Sequence, residues 1–182
     1  MDDRVEADVV VIGAGQAASP LLRALAGQGR RCVLIEREHL GGSCTNFGCT
    51  PSKAALASAR RTVLARNAGE LGVHVPTVEP DFAAVMARAR KLAADARTHL
   101  DELYAELDNP RLIRGHGRLA GREGERLCVL VDRQIEVLAH DVVLDTGTRS
   151  AIPPIPGLDR LPVITAENWL DRTAPPCRGG RR

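Results

Sequence analysis

The stretch Ala7-Asp8-Val9-Val10-Val11-Ile12-Gly13-Ala14-Gly15-Gln16-Ala17-Ala18 decides how the 182 residues of this chain are organised. Ala7 to Ile12 is a short, β-branched run of the kind buried on both faces of a parallel sheet. It runs into a G-x-G-x-x-A turn. Leu21, Leu22, Ala24, Leu25 and Ala26 then suit a packed helix that Gly27 and Gly29 would close. Gly13 supplies the tight turn, and Gly15 lets the backbone approach a pyrophosphate at the positive end of the helix, beside Ala17 and Ala18. Ala18 replaces the third glycine and is still small enough for close packing of helix on strand. Cys32-Val33-Leu34-Ile35 reads as a second buried strand. It ends at Glu36, close to the ~20-residue spacing at which an acid accepts hydrogen bonds from ribose hydroxyls. Strand, turn, helix, strand and acid in this order predict a Rossmann-like α/β unit for an adenine dinucleotide. The plainer alternative is a glycine-capped helix in an α/β domain without a ligand.

Next along the chain, Gly41-Gly42-Ser43-Cys44-Thr45-Asn46-Phe47-Gly48-Cys49-Thr50-Pro51-Ser52-Lys53 puts two thiols, a rigid turn and an isolated lysine in one segment. The spacing is C-x4-C, unlike the C-x-x-C of thioredoxin-like motifs and zinc knuckles. In a regular helix, residues five apart lie about 8 to 9 Å apart at Cα, beyond the roughly 7 Å that a disulfide spans. A bridge here requires an irregular turn, which Gly48 and Thr50-Pro51 can supply. Two free buried cysteines are the alternative. No histidine or second ligand pair sits at suitable spacing, so no metal site is expected.

These residues resemble the FAD-dependent pyridine nucleotide–disulfide oxidoreductases, among them dihydrolipoamide dehydrogenase, glutathione reductase and mercuric reductase. The family signature G-G-[ST]-C-x-N-x-G-C-[IVT]-P-[ST]-K fits Gly41 to Lys53 throughout. Asp145-Thr146-Gly147-Thr148-Arg149 and Ile152-Pro153-Pro154-Ile155-Pro156-Gly157 resemble the family's second flavin-contacting strand and turn. Thr50 and the proline-rich phrase are most similar to its mercuric-reductase-like branch.

The resemblance implies an FAD-binding domain over residues 1–171. Gly13, Gly15, Ala17 and Ala18 would face the pyrophosphate of FAD, and Glu36 the adenosine ribose. Gly42, Ser43 and Cys44 would lie along its flavin end. Cys49 would be the charge-transfer thiol and Cys44 the interchange thiol that attacks substrate. Lys53 would favour negative charge on the flavin. Gly117 would contact adenine, and Thr146, Gly147 and Thr148 would close over the pyrophosphate. The sulfur nearest the flavin has to be a thiolate when reduced, which needs nearby positive charge or a helix dipole. Lys53 and Lys91 are the only lysines among 25 basic residues, and a compact charge at Lys53 suits that need.

The rest looks architectural. Pro51 to about Arg66 reads as a helix with Leu56, Val63 and Leu64 among its apolar positions, followed by a turn with Gly72 and Pro76. Asp81 opens a long amphipathic helix (Phe82, Val85, Met86, Ala89, Leu92, Ala96, Leu100, Leu103, Leu107) that Asn109-Pro110 stops. Its other face, with Arg88, Arg90, Lys91 and Arg97, reads as solvated. Acids interrupt that face and no aromatic platform accompanies it, so nucleic acid is not an expected partner. Strands are expected at Leu112–Arg114, Leu127–Val131, Ile135–Leu138 and Val142–Leu144, a small β-meander. Cys128 reads as a small apolar core residue, and His116 as non-catalytic.

Composition fits a single α/β domain, with a net charge of +2, five cysteines and no apolar run of membrane-span length. A cytoplasmic protein without signal peptide or membrane partner is expected. The tail Arg172 to Arg182 differs from what precedes it: it has four arginines and no acid. It is expected to be disordered and out of frame. No second glycine fingerprint for NAD(P)H follows, and the family's homodimerisation region is missing from these residues. The chain therefore reads as the FAD-binding part of an NAD(P)H-dependent oxidoreductase acting on a disulfide, quinone or metal-ion substrate. Two alternatives stay open: a truncated, non-catalytic remnant, and an NAD-binding thiol redox sensor. Asp145 departs from the family, which has an uncharged residue before Thr-Gly. A carboxylate there is expected to weaken pyrophosphate binding.

Overall fold

The structure, a computed structural model, describes residues 3–175. The described residues form two compact units, 3–46 with 96–148 and 47–95 with 149–175.

The first unit is built on a six-stranded sheet. Its strands are β1 (Asp3–Ile12), β2 (Cys32–Glu36), β3 (Arg111–Arg114), β4 (Gly117–Glu123), β5 (Arg126–Val131) and β6 (Ile135–Leu144), in the order β3-β2-β1-β6-β5-β4. The first four in that order run parallel, while β4, β5 and β6 form an antiparallel meander. This is the expected Rossmann-like α/β sheet with its β-meander. Val9, Val11, Cys32 and Leu34 point to one face, where they pack with Ala18 and Leu22 of α1 (Ala18–Gly27) and Tyr104 of α4 (Phe82–Ala105). Val10, Ile12, Val33 and Ile35 point to the other, with Val129, Val131 and Val137. Side chains of a strand alternate between faces, so β-branched residues at consecutive positions demand cover on both sides. Burying these side chains is the main term holding the unit together.

Several boundaries differ from the sequence-based expectation. β1 begins at Asp3, four residues before the apolar run, because those residues pair with β6 from Asp3 opposite Ile135. Ile135–Leu138 and Val142–Leu144 are one strand, β6. His140 and Asp141 between them are exposed, but the backbone keeps its register with β1, with Ala7 opposite Ala139 and Val9 opposite Asp141. β4 was not anticipated: all but its first residue are exposed and none is β-branched, so it has no hydrophobic signature. The long helix ends at Ala105, before Asn109. Asn109 instead caps the start of β2, its Oδ1 accepting the Cys32 N–H at 2.9 Å and its Nδ2 donating to the Arg30 carbonyl at 2.8 Å.

The second unit holds α3 (Cys49–Arg66), a 3-10 turn at Ala68–Leu71, the N-terminal part of α4, and the segment after residue 148 with 3-10 turns at Leu158–Arg160 and Trp169–Asp171. Its core is small: Ala54, Met86, Ala89 and Leu170, with Phe47, Phe82 and Trp169 packed against them. Two arginines expected on a solvated face are tethers. Arg88 donates to the Ala54 carbonyl at 3.0 Å, and Arg90 to the Leu170 carbonyl at 2.7 Å. Lys91 keeps to the surface, paired with Asp95. Leu56, Val63 and Leu64, among the apolar positions of α3, are all more than half exposed. The expected disordered tail lies, from residue 176 on, outside the described residues. Among the described residues no helix is long and apolar enough to cross a membrane.

Candidate dinucleotide site and thiol pair

The turn between β1 and α1 is held from three sides. Gly13 has φ +99°, its N–H donates to the Ile35 carbonyl at 2.8 Å, and a Cβ on it would overlap the Asp145 carbonyl. Only glycine fits there. The next N–H, of buried Ala14, donates to Glu36 Oε2 at 2.8 Å. Glu36 Oε1 accepts the Glu38 N–H at 2.7 Å. Glu36 thus closes the end of β2 onto the glycine turn, and it is only 9% exposed.

The Gly-Gly segment comes against the same turn. The Gly41 N–H donates to the Ala14 carbonyl at 2.9 Å, and Gln16 Nε2 reaches the Gly41 carbonyl at 3.0 Å. Gly42 has φ +57°, and a Cβ on it would stand 2.9 Å from Gly15 Cα. Two glycines face to face bring the backbones nearer than side chains permit.

Of the other expected contacts, Ala18 is buried at the start of α1, and Ala17 is exposed at its cap. Gly117 opens β4 against the ends of β1 and β2, where an added Cβ would lie 3.0 Å from Ile35 Cγ2 and 3.3 Å from Ile12 Cγ2. Thr146, Gly147 (φ +69°) and Thr148 are exposed and follow β6. The Asp145 N–H just before them is anchored to the Ile12 carbonyl at 2.8 Å. Ser43, exposed, and Cys44, partly buried, lie on the short helix α2 (Gly42–Asn46).

Asn46 was not singled out from the sequence, although it stands in the motif two residues after Cys44. It is 7% exposed, and its Nδ2 donates to the carbonyls of Leu40 and Gly42, each at 2.9 Å. Its Oδ1 is buried without a hydrogen-bond partner among the described residues.

Cys49 and Lys53 belong to the second unit. Cys49, exposed and with a free thiol, is the first residue of α3, and Lys53 lies four residues on, on the same helix face. Pro51 is fully buried in the first helical turn, where its missing N–H is no loss. The other two described cysteines are of a different kind. Cys32 is buried, and burial pushes its thiol pKa up. Cys128 is buried too. Its thiol donates to Glu136 Oε1 at 3.2 Å, and burial followed by that carboxylate raises its pKa. Cys128 is therefore more than the apolar filler expected. Among the described residues no cluster of His, Cys, Asp and Glu could hold a metal ion.

The glycine turn and the Glu36 carboxylate fit the adenylate half of a dinucleotide, and Gly42, against the same turn, fits the side toward the flavin. One group does not: the Asp145 carboxylate lies at the start of α1, where Oδ2 accepts the Ala18 N–H at 3.1 Å.

The chain is 32% identical over 165 residues to the dihydrolipoyl dehydrogenase of Chlorobaculum parvum, covering 90% of this chain and 34% of that protein. It is 33% identical over 173 residues to the mercuric reductase of Shigella flexneri, covering 89% of this chain and 29% of the other. Among solved structures, the HOCl-induced flavoprotein disulfide reductase RclA from Escherichia coli is similar with a TM-score of 0.72 and 25% identity, covering 92% of this chain and 34% of RclA. The chain thus spans about a third of the length of these relatives. Residues 7–175 match the family described as pyridine nucleotide-disulphide oxidoreductase, and the chain belongs to that family.

Proposed function

We propose that residues 1–171 are the FAD-binding portion of an NAD(P)H-dependent disulfide oxidoreductase whose redox pair is Cys44 and Cys49. The observation that carries this reading is the close approach of Gly42 to Gly15, which sets the thiol-bearing segment on the glycine turn. In this reading Gly13, Gly15, Ala17 and Ala18 receive the pyrophosphate, Glu36 the ribose and Gly117 the adenine. Ser43 and Cys44 face the flavin end, and Thr146, Gly147 and Thr148 cover the pyrophosphate. FAD, when bound there, would supply hydride acceptance from NAD(P)H and two-electron transfer to the thiol pair. Lys53, one turn along α3 from Cys49, supplies a positive charge toward the flavin.

With both thiols reduced and a disulfide as substrate, the Cys44 thiolate attacks one substrate sulfur and forms a mixed disulfide. One substrate thiol leaves. Cys49 then attacks Cys44, the Cys44–Cys49 bond forms, and the second substrate thiol departs. Two electrons reach the substrate, and two protons accompany them overall. A quinone or metal ion is the other class of acceptor for the same pair, and the family's homodimer is the expected assembly.

Spectroscopy of the purified chain loaded with excess FAD tests this reading. On two-electron reduction of wild type a long-wavelength charge-transfer band is expected; C44S, which has no disulfide to accept electrons, should show it with oxidised flavin before reduction, and C49S should show it in neither state. A flavin complex with no such band in wild type, or with the same band in C49S, overturns the assignment. One observation favours a second reading, a non-catalytic remnant with little affinity for FAD: the contact of Asp145 with the start of α1.

A further inference from the structure

The first turn of α1 contains no acid, and its cap residue Ala17 has no side-chain hydrogen bond to offer. A helix start leaves several N–H groups without partners and carries partial positive charge. Asp145, 127 positions along the chain, supplies what the local sequence lacks. Its Oδ2 accepts the Ala18 N–H at 3.1 Å. Its two carboxylate oxygens lie 2.7 and 2.8 Å from the position a Cβ on Gly15 would take. The carboxylate therefore fills the open face of Gly15 that a dinucleotide's diphosphate would use. It cannot leave by backbone movement alone, because the Asp145 N–H is bonded to the Ile12 carbonyl at 2.8 Å and its own carbonyl packs on Gly13. Rotation about its side-chain bonds is the available exit.

We propose that Asp145 is an internal anion that competes with the diphosphate of FAD for the start of α1, so that loading the cofactor requires this carboxylate to swing away. The proposal rests on the FAD reading above. Like charges in contact at a partly dehydrated site repel strongly, and the diphosphate also needs the amide that Asp145 holds. The same contact stabilises the empty protein. One side chain thus acts in opposite directions on the stability of the empty fold and on its affinity for cofactor.

The 182-residue wild-type chain, D145A and D145N are titrated with FAD by flavin fluorescence, titrated with ADP by calorimetry, and melted without ligand. D145A is expected to bind FAD about tenfold tighter or more, and to melt a few degrees lower because the Ala18 amide loses its acceptor. D145N keeps an acceptor oxygen but no charge. It is expected to melt near wild type and to gain affinity in smaller measure. ADP, which carries the diphosphate without the flavin, should follow the same order. A merely structural role would lower stability and affinity together. Wild-type FAD binding that neither substitution tightens overturns the competition and leaves the FAD reading standing. A gain for FAD without a gain for ADP overturns it as well. Failure of all three proteins to bind FAD overturns the FAD reading and the proposal with it.

Discussion

Glu36 shows how one side chain serves fold and site together. Its two oxygens accept backbone N–H groups from Ala14 and Glu38, so the carboxylate ties the glycine turn to the end of β2 before any ligand arrives. An acid is suited to this because it can accept at both oxygens and has no proton to place. E36A would leave the N–H of buried Ala14 without an acceptor, at a loss of about 1–3 kcal/mol in unfolding free energy. E36Q, which keeps one acceptor and presents an amide donor to the other N–H, should lose a comparable amount. Urea denaturation of both variants measures this, with the midpoint shifting and the slope unchanged. A loss well below 1 kcal/mol in both would show that the turn holds without the carboxylate. The position of Glu36 at the end of the second strand was legible in the sequence. Its role within the turn was not, because a sequence does not say which backbone amides a turn leaves open.

The elements were legible in proportion to their burial. Val9 to Ile12 of β1 and Cys32 to Ile35 of β2 are covered on both faces, so each of these residues had to be apolar and the runs announced themselves. α3 was legible, yet Leu56, Val63 and Leu64 among its apolar positions are exposed: apolar spacing reports a face, not what covers it. β4 is a sheet edge held by backbone pairing with β5, which side-chain pattern does not encode. The segment after residue 148 is organised by local polar contacts of the same silent kind. Ser150 gives its hydroxyl to Glu167 Oε2 at 2.7 Å and its N–H to Oε1 at 3.0 Å. These bonds, with one from the Thr165 side chain, hold the Glu167 carboxyl down at about 2. A pKa lowered by folding favours the ionised form in the fold. The stabilisation is complete above the ordinary carboxylate value of 4.5 and is lost as pH falls through about 2. Solvent screening keeps its size small. In S150A the hydroxyl bond is gone while the backbone bond remains, so Glu167 is expected to titrate at higher pH, part of the way back to the ordinary value. Carbon-detected NMR titration of the Glu167 carboxyl reads this, and an identical midpoint in S150A and wild type refutes the account.

Across the described residues, hydrophobic burial is distributed unevenly between the two units. The sheet unit has clusters of ten and nine buried residues, including Val10, Val11, Leu22, Leu34 and Leu40, all fully inaccessible. The second unit has a cluster of four, two of them alanines. Buried apolar area sets stability, so the larger clusters should outlast the smaller one as denaturant rises. Trp169 is the only tryptophan in the sequence, and it belongs to the small cluster, with its indole N–H donating to the Phe47 carbonyl at 2.6 Å. Its fluorescence therefore reports the second unit, while far-UV circular dichroism is weighted toward the sheet and its helices. Urea unfolding followed by both signals is expected to give two midpoints, the fluorescence change coming first. L34A, a large-to-small change in the sheet unit's core, should cost about 2–5 kcal/mol and move the circular dichroism midpoint much more than the fluorescence midpoint. If the two signals coincide in wild type and shift together in L34A, the chain unfolds as one cooperative body. The thiol of Cys49, at the head of α3, would then be as firmly held as the sheet that carries the glycine turn.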